Sequence, residues 1–240
     1  MSVKVVKFGG SSLADAEHFK QVASIIKADP ARRYVVASAP GKRSKEDIKV
    51  TDLFYECYER SSSNQNIDEV YARIVERYTD IMAGLGLDYD MSKEFEYVKS
   101  ALQHRSGRDF AASRGEYLNG LILSKYLKYD FVDAENVIYF RDNVTFDEEK
   151  TNDVLAIELK DFRLYKNQRI THVFGRNIDN DETLEHAHLR GGKTHTVGGV
   201  HGLGHVIKQL MKPVIKLGHR AAYFIKSCIL FGQNISKCHI

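Results

Sequence analysis

Hydrophobic and polar positions alternate between two periods along the first 160 residues. Val3 to Phe8, VKVVKF, is a short β-rich run bounded by glycine, the pattern of a buried strand. Phe19, Val22, Ala23 and Ile26 then fall at i, i+3, i+4 and i+7, one apolar face of a helix that ends near Asp29-Pro30. Tyr34 to Ala39, YVVASA, predicts a second buried strand stopped by Pro40-Gly41. Strand, helix, strand in forty residues predicts a βαβ unit with a right-handed crossover and a parallel sheet.

Helical spacing dominates the next stretch. After the lysine-rich loop GKRSKEDIK, Leu53, Phe54, Cys57 and Tyr58 mark one helix. Val70, Ile74, Val75, Tyr78, Ile81 and Met82 mark another, closing at Gly84 and Gly86. A fourth spans Ser92 to Gln103, and a fifth spans Asp109 to Lys128 with Leu118, Leu121 and Ile122 on its buried side. Phe131–Ala134 and Val137–Phe140 read as short strands, and Asn152 to Leu159 as a helix. The fold class is α/β, with most helical mass inserted after the second strand. Beyond Phe162 the periodicity decays: ITHVF fits a strand and VIKQLMKPVIKLG a helix broken at Pro213, with no internal repeat.

Composition sharpens this break. The net charge of +3 conceals 12 basic against 4 acidic residues in 163–240, and 23 against 28 in 1–162. The last third also holds eight of the ten histidines and nine of the 17 glycines. Two domains are therefore expected, an α/β portion over 1–162 and a basic His/Gly-rich tail over 163–240, the latter out of frame or disordered. No apolar run approaches the roughly 20 residues of a membrane span, and the lysine-bearing N-terminus does not read as a signal peptide. Three cysteines without a C-x-x-C pair fit a reducing compartment, so a cytoplasmic location is expected.

Lys7 sits at the end of the first strand and is followed by Gly-Gly-Ser-Ser. Glycines allow backbone N–H groups to approach an anion, a following helix N-terminus favours negative charge, and a lysine neutralises phosphoryl oxygens. The residues alone fit equally a strand-end lysine reaching solvent beside an ordinary glycine turn.

VVKFGGSSL resembles, position for position, the N-terminal signature of aspartate kinases. VVASAPGKRSKEDIKVTDLFYE resembles that family's second strand and loop, SRGEYLNGLILSKYL its substrate-contacting helix start, and FVDAENVIYFRD the following strand region. The resemblance covers about residues 3–162. It implies the amino-acid kinase fold, a three-layer sandwich of helices around a mostly parallel sheet. It further implies ATP-dependent phosphorylation of the aspartate side-chain carboxylate, the first step toward lysine, threonine and methionine. Lys7 would be catalytic and, with Gly9, Gly10 and Ser11, would hold ATP phosphates. Thr51 and Glu116 would hold aspartate, Glu116 through its ammonium group, and Arg114 would face the substrate carboxylate. Mg²⁺ would travel with ATP, so no dedicated metal ligands are expected. From the residues alone, Glu116 reads equally as a solvated acid in a first helical turn, and Arg114 as a solvated cation. Other amino-acid kinases share the strand-lysine-glycine opening but not the whole signature with the Thr51 and Glu116 elements.

The resemblance fades in the tail. An RGGSD-type segment is expected, but Arg190-Gly191-Gly192 is followed by Lys193-Thr194-His195. AHLRGGKT lacks the strand and helix that a P-loop joins. His201 and His205 are spaced for one helix face, yet Gly202 and Gly204 oppose a helix, so no metal site is expected. The basic tail lacks arginine-aromatic interleaving, so no nucleic-acid partner is expected. Aspartate is the expected small-molecule partner, no membrane partner is expected, and a homo-oligomer is left open. A truncated, non-catalytic kinase remnant is the alternative to an enzyme.

Overall fold

The first strand, β1 (Val3–Phe8), leads through a 3-10 turn (Gly10–Leu13) into α1 (Ala16–Lys27), then β2 (Arg32–Ala37). The computed structural model describes residues 3–104, 106–141, 146–166, 196–197 and 229–232. Beyond β2 come α2 (Val50–Ser62), α3 (Asp68–Leu85), α4 (Ser92–Gln103), α5 (Arg108–Leu127), β3 (Tyr129–Val132), α6 (Ala134–Val137) and α7 (Glu148–Lys166). Two short strands follow, β4 (Thr196–Val197) and β5 (Ile229–Gly232). The chain divides into two compact units, Val6–Ala134 with Tyr223–Ile240, and Met1–Val5 with Glu135–Ala222.

In the larger unit the strands lie in the order β3-β5-β2-β1. β1 and β2 are neighbours joined through α1, the expected βαβ unit. β5 pairs antiparallel with both β2 and β3, so β2 and β3 run in the same direction. α1 buries the predicted face, Phe19, Val22, Ala23 and Ile26. α3 ends at Gly86, whose φ of 61° is the left-handed conformation glycine adopts without strain. α5 is buried on every side, from Ala111 and Arg114 through Leu118 to Leu123 and Leu127. It packs against α2, α3 and α4 and against β2, β3 and β5. A helix enclosed this way is the unit's central element rather than an amphipathic surface helix.

In the smaller unit, the Tyr139 N–H donates to Thr151 Oγ1 at 3.0 Å, and the Phe140 and Phe146 rings meet edge to face at 6.0 Å. The first residues of β1 pair antiparallel with β4.

Several boundaries differ from the periodicity. Val137–Phe140 is not a strand: Ala134–Val137 forms a helical turn, and only Phe140 bridges, to Phe146. Ala134 and Glu135 are strong helix formers directly after Asp133, and the turn still buries Val137. α7 extends well beyond the predicted Asn152–Leu159 at both ends. ITHVF and VIKQLMKPVIKLG lie outside the described residues. Among the described residues no helix is long and apolar enough to cross a membrane.

Candidate functional site

The turn after β1 is built by backbone contacts. The Ser12 N–H donates to Gly9 O at 3.0 Å, closing the turn, and the Ser38 N–H donates to Phe8 O at 3.1 Å. The Gly41 N–H donates to Gly10 O at 2.9 Å. A Cβ on Gly10 would stand 2.8 Å from Ala39 O and 3.1 Å from Gly41 N, so only glycine permits this approach. A Cβ on Gly9 would meet nothing within 4 Å. The adjacent glycines therefore differ: Gly10 packs against backbone, and Gly9 faces open space. Lys7 and Ser11 are exposed beside them.

The helix expected directly after this turn begins later. The 3-10 turn intervenes, and α1 starts under its own N-cap, Asp15, whose carboxylate accepts from the His18 N–H at 3.0 Å. A carboxylate of the chain itself already caps that helix end.

Ser38 to Gly41 forms a hub. Asn119 of α5 donates from Nδ2 to Ser38 O at 2.7 Å. Ala39 lies over Gly115, where an added Cβ would stand 2.7 Å from the Ala39 Cβ. The Ala39 N–H bonds to Glu116. Pro40 O accepts from the Val50 N–H at 3.3 Å at the start of α2, and Gly41 meets Gly10. β2 accordingly ends at Ala37 rather than Ala39, because side chains of α5 take the next backbone groups.

Glu116 lies beyond two turns into α5 and is 6% exposed, which excludes the solvated first-turn reading. Burial raises its carboxyl to about 7, although backbone N–H groups of Glu116 and Ala39 and the positive charges of Lys7 and Arg114 oppose that rise. Lys7 and Glu116, distant in sequence, are thus electrostatic neighbours. Arg114 is also buried: its guanidinium stacks over the Phe110 ring at 4.5 Å and the Tyr117 ring at 4.9 Å, and Nη2 donates to Ser113 Oγ at 2.9 Å. Thr51 is half-buried in the first turn of α2, next to Val50, whose Cγ1 is 3.7 Å from the position of a Gly115 Cβ.

Sequence reading missed the parts that hold this arrangement. Asn119 is fully buried one turn after Glu116. Arg77 of α3 is 4% exposed and donates from Nη1 to Gly41 O at 3.0 Å and from Nη2 to both Asp47 oxygens at 2.7 and 2.6 Å. A detectable signal existed: each polar residue shares an apolar stripe, Arg77 with Ile74, Tyr78 and Ile81, and Asn119 with Leu118 and Ile122. The Arg190–Gly192 segment, AHLRGGKT and the histidines at 186, 188, 195, 201 and 205 lie outside the described residues.

The sequence model of the amino acid kinase family matches residues 2–197, and the chain belongs to that family. Its N-terminal part is aspartokinase-like. Aspartokinase 3 of Bacillus subtilis is 37% identical over 141 residues, 56% of this chain and 31% of that protein. The structure of Clostridium acetobutylicum aspartate kinase matches with a TM-score of 0.63 and 45% identity, covering 65% of this chain and 36% of that one. Escherichia coli aspartokinase III, solved with aspartate and ADP, matches with a TM-score of 0.54 and 22% identity over 68% of this chain and 38% of its own; that likeness concerns the fold. The chain therefore spans about a third of the length of the relatives it matches.

Proposed function

We propose that this chain carries the phosphate-facing and acid-binding half of an aspartate kinase. In that reaction a side-chain carboxylate oxygen of aspartate attacks the γ-phosphorus of ATP. The bond from phosphorus to the bridging oxygen breaks, and 4-phosphoaspartate and ADP form. The observation that carries the reading is the convergence of exposed Lys7, the open turn at Gly9 and buried Glu116 on one hub, Ser38–Gly41.

Each residue has a role suited to its setting. Lys7 neutralises charge on the transferred phosphoryl group, and the backbone of Gly9, Gly10 and Ser11 cradles it. Mg²⁺ would arrive with ATP and be held chiefly by phosphate oxygens. Glu116 accepts the substrate ammonium; that cation would stabilise the ionised carboxylate against the burial that favours its protonated form. Thr51 offers a hydroxyl from α2. Arg114, within α5, contributes positive charge near Glu116, its guanidinium stacked on the Phe110 and Tyr117 rings of the same helix.

A second reading, a non-catalytic remnant, is favoured by one observation: Arg190-Gly191-Gly192 is followed by Lys193-Thr194-His195, without the expected aspartate. On that reading the tail over 163–240 is out of frame. An ATP- and aspartate-dependent hydroxamate assay on the 240-residue chain, with Lys7→Ala as control, separates the two. Turnover abolished by Lys7→Ala supports the enzyme. A folded wild-type chain that turns nothing over rejects the enzyme in favour of the remnant.

A further inference from the structure

We propose that Arg77 is a positioning residue for the phosphate-facing turn, acting through the Gly41–Ile48 segment. This rests on the reading of Gly10 as part of the phosphate cradle. Arg77 occupies a core-facing position of α3, where an unpaired guanidinium is costly. Its planar fork spans two backbone regions that a single ammonium could not hold together. Nη1 takes Gly41 O at 3.0 Å, while Nη2 takes the Asp47 carboxylate and, at 3.4 Å, Ile48 O. Asp47 is also held by the Arg43 N–H at 2.8 Å and the Arg43 Nε at 3.0 Å. Both ends of the segment are therefore fastened to one side chain.

The consequence falls on Gly10. Gly41 accepts from Arg77 with its carbonyl and donates to Gly10 O with its N–H. The two groups lie in adjacent peptide planes joined at the Gly41 Cα, so holding the carbonyl narrows the range open to the N–H, and the close backbone approach of Gly41 to Gly10 leaves that range little slack. The neighbouring Tyr78 donates to Gly115 O at 2.7 Å, beside Glu116. Two successive residues of α3 thus hold the phosphate side and the acid side of the same hub.

Amide hydrogen exchange on the full chain tests this independently of turnover, comparing wild type with Arg77→Lys and Asp47→Asn. The charge-assisted bond to Gly41 O is lost in Arg77→Lys, so exchange of the Gly41 amide should accelerate roughly tenfold or more while α5 amides stay protected. Asp47→Asn, a change on the half-exposed segment, should accelerate Gly41 exchange less. If wild type turns over, kcat/KM for ATP should fall roughly tenfold in Arg77→Lys with aspartate KM changed less. Unchanged Gly41 exchange in Arg77→Lys overturns the proposal, as does acceleration spread evenly through α5. Local acceleration in a wild-type background that shows no turnover upholds the strap and rejects the kinase reading instead.

Discussion

Gly10 and Gly41 meet backbone to backbone: the Gly41 N–H donates to Gly10 O at 2.9 Å, and a Cβ on Gly41 would stand 2.7 Å from the Gly10 carbonyl carbon. Two turns thirty-one residues apart are thereby locked into one surface. A side chain on either glycine must displace main chain, because no flexible atom stands in the way. Gly10→Ala should cost about 1–3 kcal/mol by urea unfolding, the range for overpacking. Gly9→Ala, with φ of −76° and open space around it, should leave stability within about 0.5 kcal/mol. Equal losses for both would refute the distinction.

Glu116 makes stability pH-dependent. Its carboxyl titrates near 7 in the folded chain against an ordinary value of 4.5. Between those values the folded state holds a proton that the unfolded state has released, so this group's contribution falls as pH rises from about 4.5 to 7 and is then flat. Glu116→Gln should remove that slope, worth a few kcal/mol, and gain stability relative to wild type at pH 8. Denaturation midpoints at pH 5 and 8 measure it; parallel curves for both proteins would reject the buried-carboxylate account.

Lys7 lowers the Glu116 titration by its positive charge. Lys7→Ala should therefore move the Glu116 midpoint above about 7, detectable by carboxyl ¹³C shifts in labelled protein. A midpoint that stays in place would show that the two groups do not communicate.

Cys57 is fully buried in α2, and burial pushes its thiol up to about 12. Only the thiolate reacts readily, so Cys57 should resist alkylation in native buffer and label fully in denaturant. Peptide mass mapping resolves it from Cys228 and Cys238. Rapid native labelling of Cys57 would contradict its burial.

A Gly115 side chain would collide with the Ala39 Cβ at 2.7 Å, pushing the hub off α5. If the chain turns over as proposed, Gly115→Ala should lower kcat/KM at temperatures where the protein remains folded, because Glu116 is the next residue. Unchanged kinetics would mean that the hub tolerates the shift.

Legibility followed period. The apolar stripes of α1 and α3 and the span Ser92–Gln103 of α4 emerged from spacing because each helix has one buried face. α5 shows the limit: Leu118, Leu121 and Ile122 marked one side, but its burial on all sides depends on what packs around it. Val137–Phe140 misled because Val137 and Ile138 are buried as strand residues would be, while the preceding Ala134 and Glu135 carry the backbone into a helical turn. Lys7 was marked by the strand-end lysine and glycine pattern and Thr51 and Glu116 were reached through resemblance, whereas Arg77 and Asn119 sit within apolar stripes and carry no local mark of what they bind.

By itself the sequence determined the order of elements as far as β3, the βαβ opening, and the lysine-glycine turn, since these depend on spacing and backbone preference within a few residues. Only the tertiary structure decided that Gly10 lies against Gly41, that Lys7 neighbours Glu116, and that Arg77 fastens the segment between them. Those relationships join residues thirty to more than a hundred positions apart, and they are set by close packing and by the need to satisfy buried polar groups, which no local pattern encodes.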